Sequence, residues 1–362
     1  MKKLITIVAG TRPNFMKVSP LIRSLKKYSR TTKFRLVNTQ QHKQYSMNKV
    51  FFDDLNIPKP DKILKINPST NISNIANIMI AFEKDCKKFN PNLVIVVGDV
   101  DSTLACSLVA RKLNIPIAHV EAGLRSHDLT MPEEINRILT DRISKFCFAS
   151  EKDGVKQLLL EGKNKNSIFL SGDVMVDNLF YQLKKIKNLK LESDLLKKNI
   201  GSYAILTLHR PSNVDKLDKL NKIIKIVNDL SKKIPIFFPI HPRTKNKLKK
   251  INIKYHKNFR FLKPQSYNNF LGLLKDSSIV LTDSGGLQVE TSVLGIPCIT
   301  LRENTERPLT LEKGTNNLVG FNKKMLEKIF YKNLNTHRVK RKLKVWDGNS
   351  ADRIANIIFK NI

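Results

Sequence analysis

Residues 121–137 read EAGLRSHDLTMPEEINR, with four carboxylates, one histidine and two arginines in seventeen positions. A strand end needs few charges, so acids gathered in this way suggest proton chemistry. Paired carboxylates shielded from water push their pKa values apart, leaving one base and one acid near neutral pH. Glu121 closes the apolar run PIAHVEA, and Asp99 closes another, LVIVVGD. Glu133 follows Pro132 at a helix start, where the helix dipole favours an anion. Glu134 reads as an N-terminal cap carboxylate, and Arg125 and Arg137 as the cations that hold the acids. His127 and Asp128 receive no role.

A second group of residues suits phosphate. TDSGGLQVE (282–290) follows an apolar run and opens a helix. Small residues there leave backbone N–H groups free for a diphosphate, and the dipole adds attraction. Ser284, Gly285 and Gly286 would meet the phosphates. Glu290, one turn on, repels phosphate and suits a pair of ribose hydroxyls. GTRPNFMK (10–17) repeats the logic at the first strand, with the planar donor fork of Arg12 and with Lys17 on the same first turns. Neither G-x-G-x-x-G nor a Walker A sequence occurs, which disfavours NAD and ATP and points to a nucleotide-sugar. His209 ends YAILTLH beside Arg210, and His241 stands in FPIHPR. Both suit phosphate or acid–base work, and no pair has metal-ligand spacing.

Apolar β-rich runs alternate with helix-period segments from end to end. Strands are expected at 4–10, 34–39, 93–99, 116–122, 145–150, 167–172, 203–209, 234–241, 259–262, 278–284 and 297–302. Amphipathic helices are expected at 72–88, 101–113 and 214–233. Such alternation predicts an α/β fold with parallel sheets covered by helices on both faces. Nearly every strand ends in a chemical residue, which is where open α/β sheets bind ligands. Two Rossmann-like domains facing across a cleft would gather these groups. The expected division is 1–172, carrying the acids, and 173–349, binding the nucleotide. The helix at 350–362 packs back on the first domain, and a lysine-rich stretch, 183–200, separates the two strand sets.

With 362 residues the chain suits two such domains. Net charge is +34, which raises nucleic acid or anionic membrane as partners. The excess is mainly lysine spread over both halves, without an RNA-binding signature, and reads more cheaply as solvated surface. The four cysteines form no C-x-x-C pair and read as buried thiols. MKKLITIVAG is a first strand rather than a signal peptide, so a cytoplasmic protein is expected.

Taken in order, GTRP, QQH (40–42), GDVDSTLA, HVEAGLR, PEEINR, LHRPSNVD, TDSGGLQVE and TERP (305–308) resemble the non-hydrolysing UDP-N-acetylglucosamine 2-epimerase family. The resemblance implies a GT-B arrangement, no cofactor and no metal, a UDP-sugar substrate and a homodimer. It implies no nucleic-acid partner and no stable membrane association. The implied reaction inverts C2 of the sugar by anti elimination of UDP to a 2-acetamidoglucal, followed by re-addition. Asp99, Glu121, Glu133 and His209 match the family's catalytic positions. Glu121 and Asp99 would handle the C2 proton, with Glu133 shaping or sharing that work and His209 steadying the departing UDP. Arg12, Lys17, Arg137, Ser284, Gly285, Gly286, Glu290 and Arg307 fall among the substrate-binding positions.

Some bacterial members of the family bind a second UDP-GlcNAc as an activator, at positions matched here by Gln41, His42, Gln44, Arg210 and His241. Where those members carry an arginine within 66–72, this chain reads INPSTNI. Other readings stay open: a sister 2-epimerase on a diacetamido-uronic or 6-deoxy amino sugar, a hydrolysing epimerase, or a basic binding protein.

Overall fold

The computed structural model describes residues 2–40, 49–66, 70–198, 200–240, 242–334, 338 and 343–362. The chain folds as two compact units, Met1–Phe180 with Lys344–Ile362, and Tyr181–Leu343.

In the first unit the strands are β1 (Lys3–Ala9), β2 (Thr32–Asn38), β3 (Lys62–Ile63), β4 (Leu93–Val97), β5 (Ile117–Ala122), β6 (Phe146–Ala149) and β7 (Ile168–Leu170). They form one parallel sheet ordered β3-β2-β1-β4-β5-β6-β7. The central strands are apolar along their whole length because both faces are covered. Every residue of LVIVV in β4 is buried, as a doubly covered parallel sheet requires. Helix Asn71–Phe89 and helix Asp101–Lys112 pack on one face through Ile78, Phe82, Ala105, Cys106 and Val109.

The second unit holds β8 (Ala204–Thr207), β9 (Ile236–Pro239), β10 (Phe259–Leu262), β11 (Ile279–Thr282), β12 (Cys298–Thr300) and β13 (Asn316–Leu318). These are again all parallel, in the order β10-β9-β8-β11-β12-β13. Its core gathers Leu206, Phe238, Leu281 and Ile299 under helix Leu217–Leu230. Both sheets therefore reverse strand order at one place, between β1 and β4 and between β8 and β11. A doubly wound sheet has its ligand crevice at that switch, beyond the carboxyl ends of the strands.

The last helix, Ser350–Asn361, belongs to the first unit and lies on helix Arg12–Lys26. Ser24 Oγ donates to Asp352 at 2.7 Å, and the Tyr28 and Phe359 rings stack with centroids 3.8 Å apart. Asp177 caps its first turn by accepting from the N–H groups of Ser350 and Ala351. Upstream of it, the Trp346 indole donates to Ser150 O at 3.0 Å. Cys86, Cys106, Cys147 and Cys298 are all buried free thiols, and burial raises each above its ordinary value. Among the described residues no helix is long and apolar enough to cross a membrane. Among them also, no group of three or more His, Cys, Asp or Glu could hold a metal ion.

Candidate active site

At the switch of the first sheet the chain leaves β1 through Gly10 and Thr11 into helix Arg12–Lys26. A Cβ on Gly10 would stand 2.2 Å from Ser102 Oγ, so only glycine fits. The Asn14 carboxamide ties this turn to the neighbouring strand. Its Oδ1 accepts from the N–H groups of Gly10 and Thr11, while its Nδ2 donates to Val97 O at 3.1 Å. Arg12 lies half-buried at the start of that helix, and Lys17 one turn further on. The Lys17 ammonium is in direct contact with the Glu121 carboxylate.

Glu121 sits where β5 bulges. The pairing of β5 with β6 slips between Val120 and Ala122, leaving residue 121 as the extra one. Its φ is +77°, in the left-handed region that side chains avoid. A non-glycine residue held there costs on the order of 1–3 kcal/mol, and such strain clusters at functional sites. The bulge and the pairing with Lys17 leave the Glu121 side chain 5% exposed at the tip of the strand. Gly98, at the end of the adjacent strand β4, also has positive φ (+67°). A Cβ there would lie 2.7 Å from Lys17 Nζ and 3.3 Å from Glu121 Oε2, so this ion pair rests over the Gly98 backbone.

Asp99 follows immediately. Its carboxylate binds the Arg137 guanidinium and remains 30% exposed. Its carbonyl accepts from Asn136 Nδ2 at 2.9 Å. Two acids from adjacent strand ends thus each meet a buried or half-buried cation. Arg137, 2% exposed, also binds Glu134 at 2.7 Å. The structure corrects the reading of Glu134 as a helix cap. The Glu134 carboxylate is buried and accepts from the Ser126 and His127 N–H groups, pinning the loop before its own helix, Pro132–Ile143. Burial alone would raise its pKa, yet the Ser126 N–H and Arg137 outweigh it and hold Glu134 below the ordinary range. Arg125 is corrected too: it binds Asp141 at 2.8 Å and Glu161 at 2.6 Å rather than the cluster acids. Glu133 stands half-buried on the first turn of the same helix.

The second sheet repeats the pattern. Asp283, fully buried after β11, accepts from the backbone N–H groups of His209 and Arg210 and from Asn213 Nδ2, all within 3.0–3.2 Å. His209 Nδ1 is 3.0 Å from the same carboxylate, with 47% of the side chain exposed. Burial of Asp283 opposes its charge, but His209 and these N–H donors keep it below the usual carboxylate range. Asp283 thus turns the imidazole outward from β8. Arg210 donates to Asp283 O through Nε and to Glu306 through Nη2, and Arg302 binds the other oxygen of Glu306 at 2.7 Å.

Ser284 is the N-cap of helix Gly285–Leu294, and Gly285 and Gly286 form its first turn. The Glu306 carboxylate packs so close to Gly285 that a Cβ there would stand 2.4 Å from it. Glu290, 3% exposed on that helix, accepts from Tyr267 Oη at 2.7 Å. Burial pushes its carboxyl up to about 7, against the lowering effect of the Tyr267 hydroxyl. Arg307 is buried just before helix Pro308–Glu312.

The structure therefore brings Lys17, Asp99, Glu121 and Arg137 together in one unit. It brings His209, Arg210, Ser284 and Gly285 together in the other. Gln41, His42, Gln44 and His241 lie outside the described residues. Sequence reasoning gave no role to Asn14, His119, Asp141, Tyr267, Asp283 or Glu306. Asp283 carried a usable signal, since it ends an apolar strand as Asp99 does.

Residues 24–359 match the protein family described as UDP-N-acetylglucosamine 2-epimerase. The UDP-N-acetylglucosamine 2-epimerase of Methanocaldococcus jannaschii is 42% identical over 366 residues, covering 98% of each chain. The UDP-2,3-diacetamido-2,3-dideoxy-D-glucuronate 2-epimerase of Pseudomonas aeruginosa is 36% identical over 328 residues, covering 90% of each. The crystal structure of the M. jannaschii UDP-GlcNAc 2-epimerase with UDP-GlcNAc and UDP superposes with a TM-score of 0.91 at 40% identity, covering 99% of this chain and 100% of that one. The chain belongs to the UDP-N-acetylglucosamine 2-epimerase family.

Proposed function

We propose that the enzyme interconverts UDP-GlcNAc and UDP-ManNAc by eliminating and re-adding UDP. The observation that carries this reading is the pair of acids at adjacent strand ends, Asp99 with Arg137 and Glu121 with Lys17, in a chain of this family. The C2 proton is a poor acid, so a held base must remove it while the leaving group departs. The base takes the proton from C2. The C1–O bond breaks with its electron pair passing to the UDP oxygen, and a C1–C2 double bond forms. A proton then adds to the opposite face of C2, and the UDP oxygen returns to C1. Atoms balance without an oxidant or a metal.

Asp99 and Glu121 carry the proton at C2, and Glu133, on the first turn of its helix, shapes or shares that work. Lys17 and Arg137 keep the two acids in place, and each cation offsets a desolvation that would be costly for its acid alone. The charge that develops on the departing diphosphate is met by N–H groups at Ser284–Gly286 and by Arg12, Arg307 and His209. Glu290 accepts from the ribose hydroxyls. The same reading takes in a cytoplasmic homodimer, a division near 172 and 349, and a product that feeds surface polysaccharide synthesis. Arg210 belongs to the second, regulatory UDP-GlcNAc site implied by the resemblance.

Incubation with UDP-GlcNAc in D2O, followed by NMR, tests the proposal. UDP-ManNAc with deuterium at C2 and little free sugar is expected. Free ManNAc with UDP would replace the reading by a hydrolysing epimerase. Turnover of the diacetamido-uronic substrate alone would replace it by a sister 2-epimerase.

A further inference from the structure

Behind the two acids lies a buried pair that the reaction does not use directly. His119, on β5, is 0% exposed, and Asp141, on helix Pro132–Ile143, is 1% exposed. His119 Nε2 lies 2.8 Å from Gly98 O and Nδ1 lies 2.6 Å from Asp141 Oδ1. A carbonyl oxygen only accepts, so Nε2 donates to Gly98, and Nδ1 faces a carboxylate. The other Asp141 oxygen accepts from the Gly123 N–H at 3.0 Å and from Arg125 at 2.8 Å. Arg125 in turn binds Glu161. Lys163 donates to Asp141 O, and the Cys147 thiol lies 3.7 Å from it.

The two ends of this chain grip special backbone. Gly98 precedes Asp99, and Gly123 follows Glu121 by two residues. Gly98, Glu121 and Gly123 all have positive φ, at +67°, +77° and +81°. A Cβ on Gly123 would stand 2.3 Å from Gly154 O, so that turn is fixed by packing as well. Three left-handed positions around two strand ends persist only where their surroundings over-determine them. Beside the backbone pairing of β4 with β5, in which the Gly98 N–H donates to Val120 O at 3.0 Å, the His119–Asp141 link ties the β4 end to the turn after the β5 bulge through side chains.

We infer that His119 and Asp141 are positioning residues that fix the Asp99 and Glu121 backbones relative to each other. The inference rests on the proposed epimerisation, so the wild-type enzyme is assayed first, and failure of wild-type turnover counts against that reading alone. An asparagine at 141 offers one acceptor where the carboxylate serves His119, Gly123 and Arg125 together. In His119→Gln the carboxamide NH2 still donates to Gly98 O, whereas the carboxamide oxygen only accepts and cannot take the place of Nδ1 against Asp141.

The test compares Asp141→Asn and His119→Gln with Asp85→Asn, measuring kcat, KM, UDP affinity and thermal unfolding. Asp85 forms a comparable buried pair with Arg35 in the same unit, at 2.8 and 3.0 Å, away from the acids. For Asp141→Asn, kcat should fall roughly 100-fold with KM held within about threefold, since a misplacement of about 1 Å costs that much. For His119→Gln, which keeps a donor for Gly98 O, the fall should be smaller. Asp85→Asn should lose thermal stability yet keep kcat within about twofold. Near-normal kcat in Asp141→Asn, or an equal fall in Asp85→Asn, would overturn the inference. Failure of both site variants to fold would overturn it as well, because the pair would then serve folding and not positioning.

Discussion

Replacing Glu290 by glutamine separates its cost to the fold from its use in binding. The carboxyl is 3% exposed, and burial lifts it from the ordinary 4.5 to about 7. The folded value is raised, so between pH 4.5 and 7 the unfolded chain loses its proton while the native chain keeps it. Stability therefore falls as pH rises through that window, and the full cost, about 3 kcal/mol, applies above it. Glutamine keeps an acceptor for the Tyr267 hydroxyl without the charge. In the free enzyme at pH 8, Glu290→Gln should be more stable by up to about 3 kcal/mol.

For a unit of about 160 residues that is roughly 6–12 °C in melting temperature. At pH 5 the native carboxyl is nearly all protonated, and the gap should narrow to about 1 kcal/mol, closing below 4.5. UDP affinity should move the other way. Hydrogen bonds to a charged acceptor are worth about 1.5–3 kcal/mol, so the variant should bind UDP on the order of 10- to 100-fold more weakly. Melting curves at both pH values and calorimetric titration with UDP decide it. Equal gaps at pH 5 and pH 8 would refute the buried high-pKa carboxyl. Unchanged UDP affinity would refute its ribose role.

Two other changes probe the strand ends. Gly98→Ala forces a Cβ into a left-handed position 2.7 Å from Lys17 Nζ. It should cost about 1–2 kcal/mol in stability and, by shifting the Lys17–Glu121 pair, at least about tenfold in kcat. Asp283→Asn removes a buried carboxylate from its donors and should cost about 3 kcal/mol near pH 7 while weakening UDP binding. Because the folded Asp283 lies below its ordinary 3.8, its stabilisation is present above that value and lost as pH falls further. Denaturant melts should therefore show the variant's deficit shrinking on acidification below that point.

Strands with long apolar runs were legible, since a sheet covered on both faces admits little else. The edge strands β3 and β13 were not. β3 is two exposed residues, Lys62–Ile63, and β13 is Asn316–Leu318, with two asparagines, so neither carries a hydrophobic signal. The amphipathic stretch at 214–233 is broken in the structure between Pro211–Val214 and Leu217–Leu230. Asp99 and Glu121 were legible as acids at the ends of apolar strands. Their cations were half legible: Arg137 does meet Asp99, whereas Arg125 turns to Asp141 and Glu161. Nothing in the spacing tells which of two nearby arginines faces a strand tip, because the bulge at residue 121 resets the alternation of faces. His119 was hidden for a related reason. One histidine within an apolar run looks like a satisfied core residue, and its partner Asp141 lies on a different element.

In the proposed reaction Glu121 works on the C2 proton of a UDP-sugar. Wild type and Glu121→Gln, incubated with UDP-GlcNAc in D2O and followed by NMR, test it most directly. The wild type should yield UDP-ManNAc deuterated at C2, and the variant should show neither product nor C2 exchange while UDP still binds. Near-normal deuterium incorporation and turnover in Glu121→Gln would rule out a role for this carboxylate at C2.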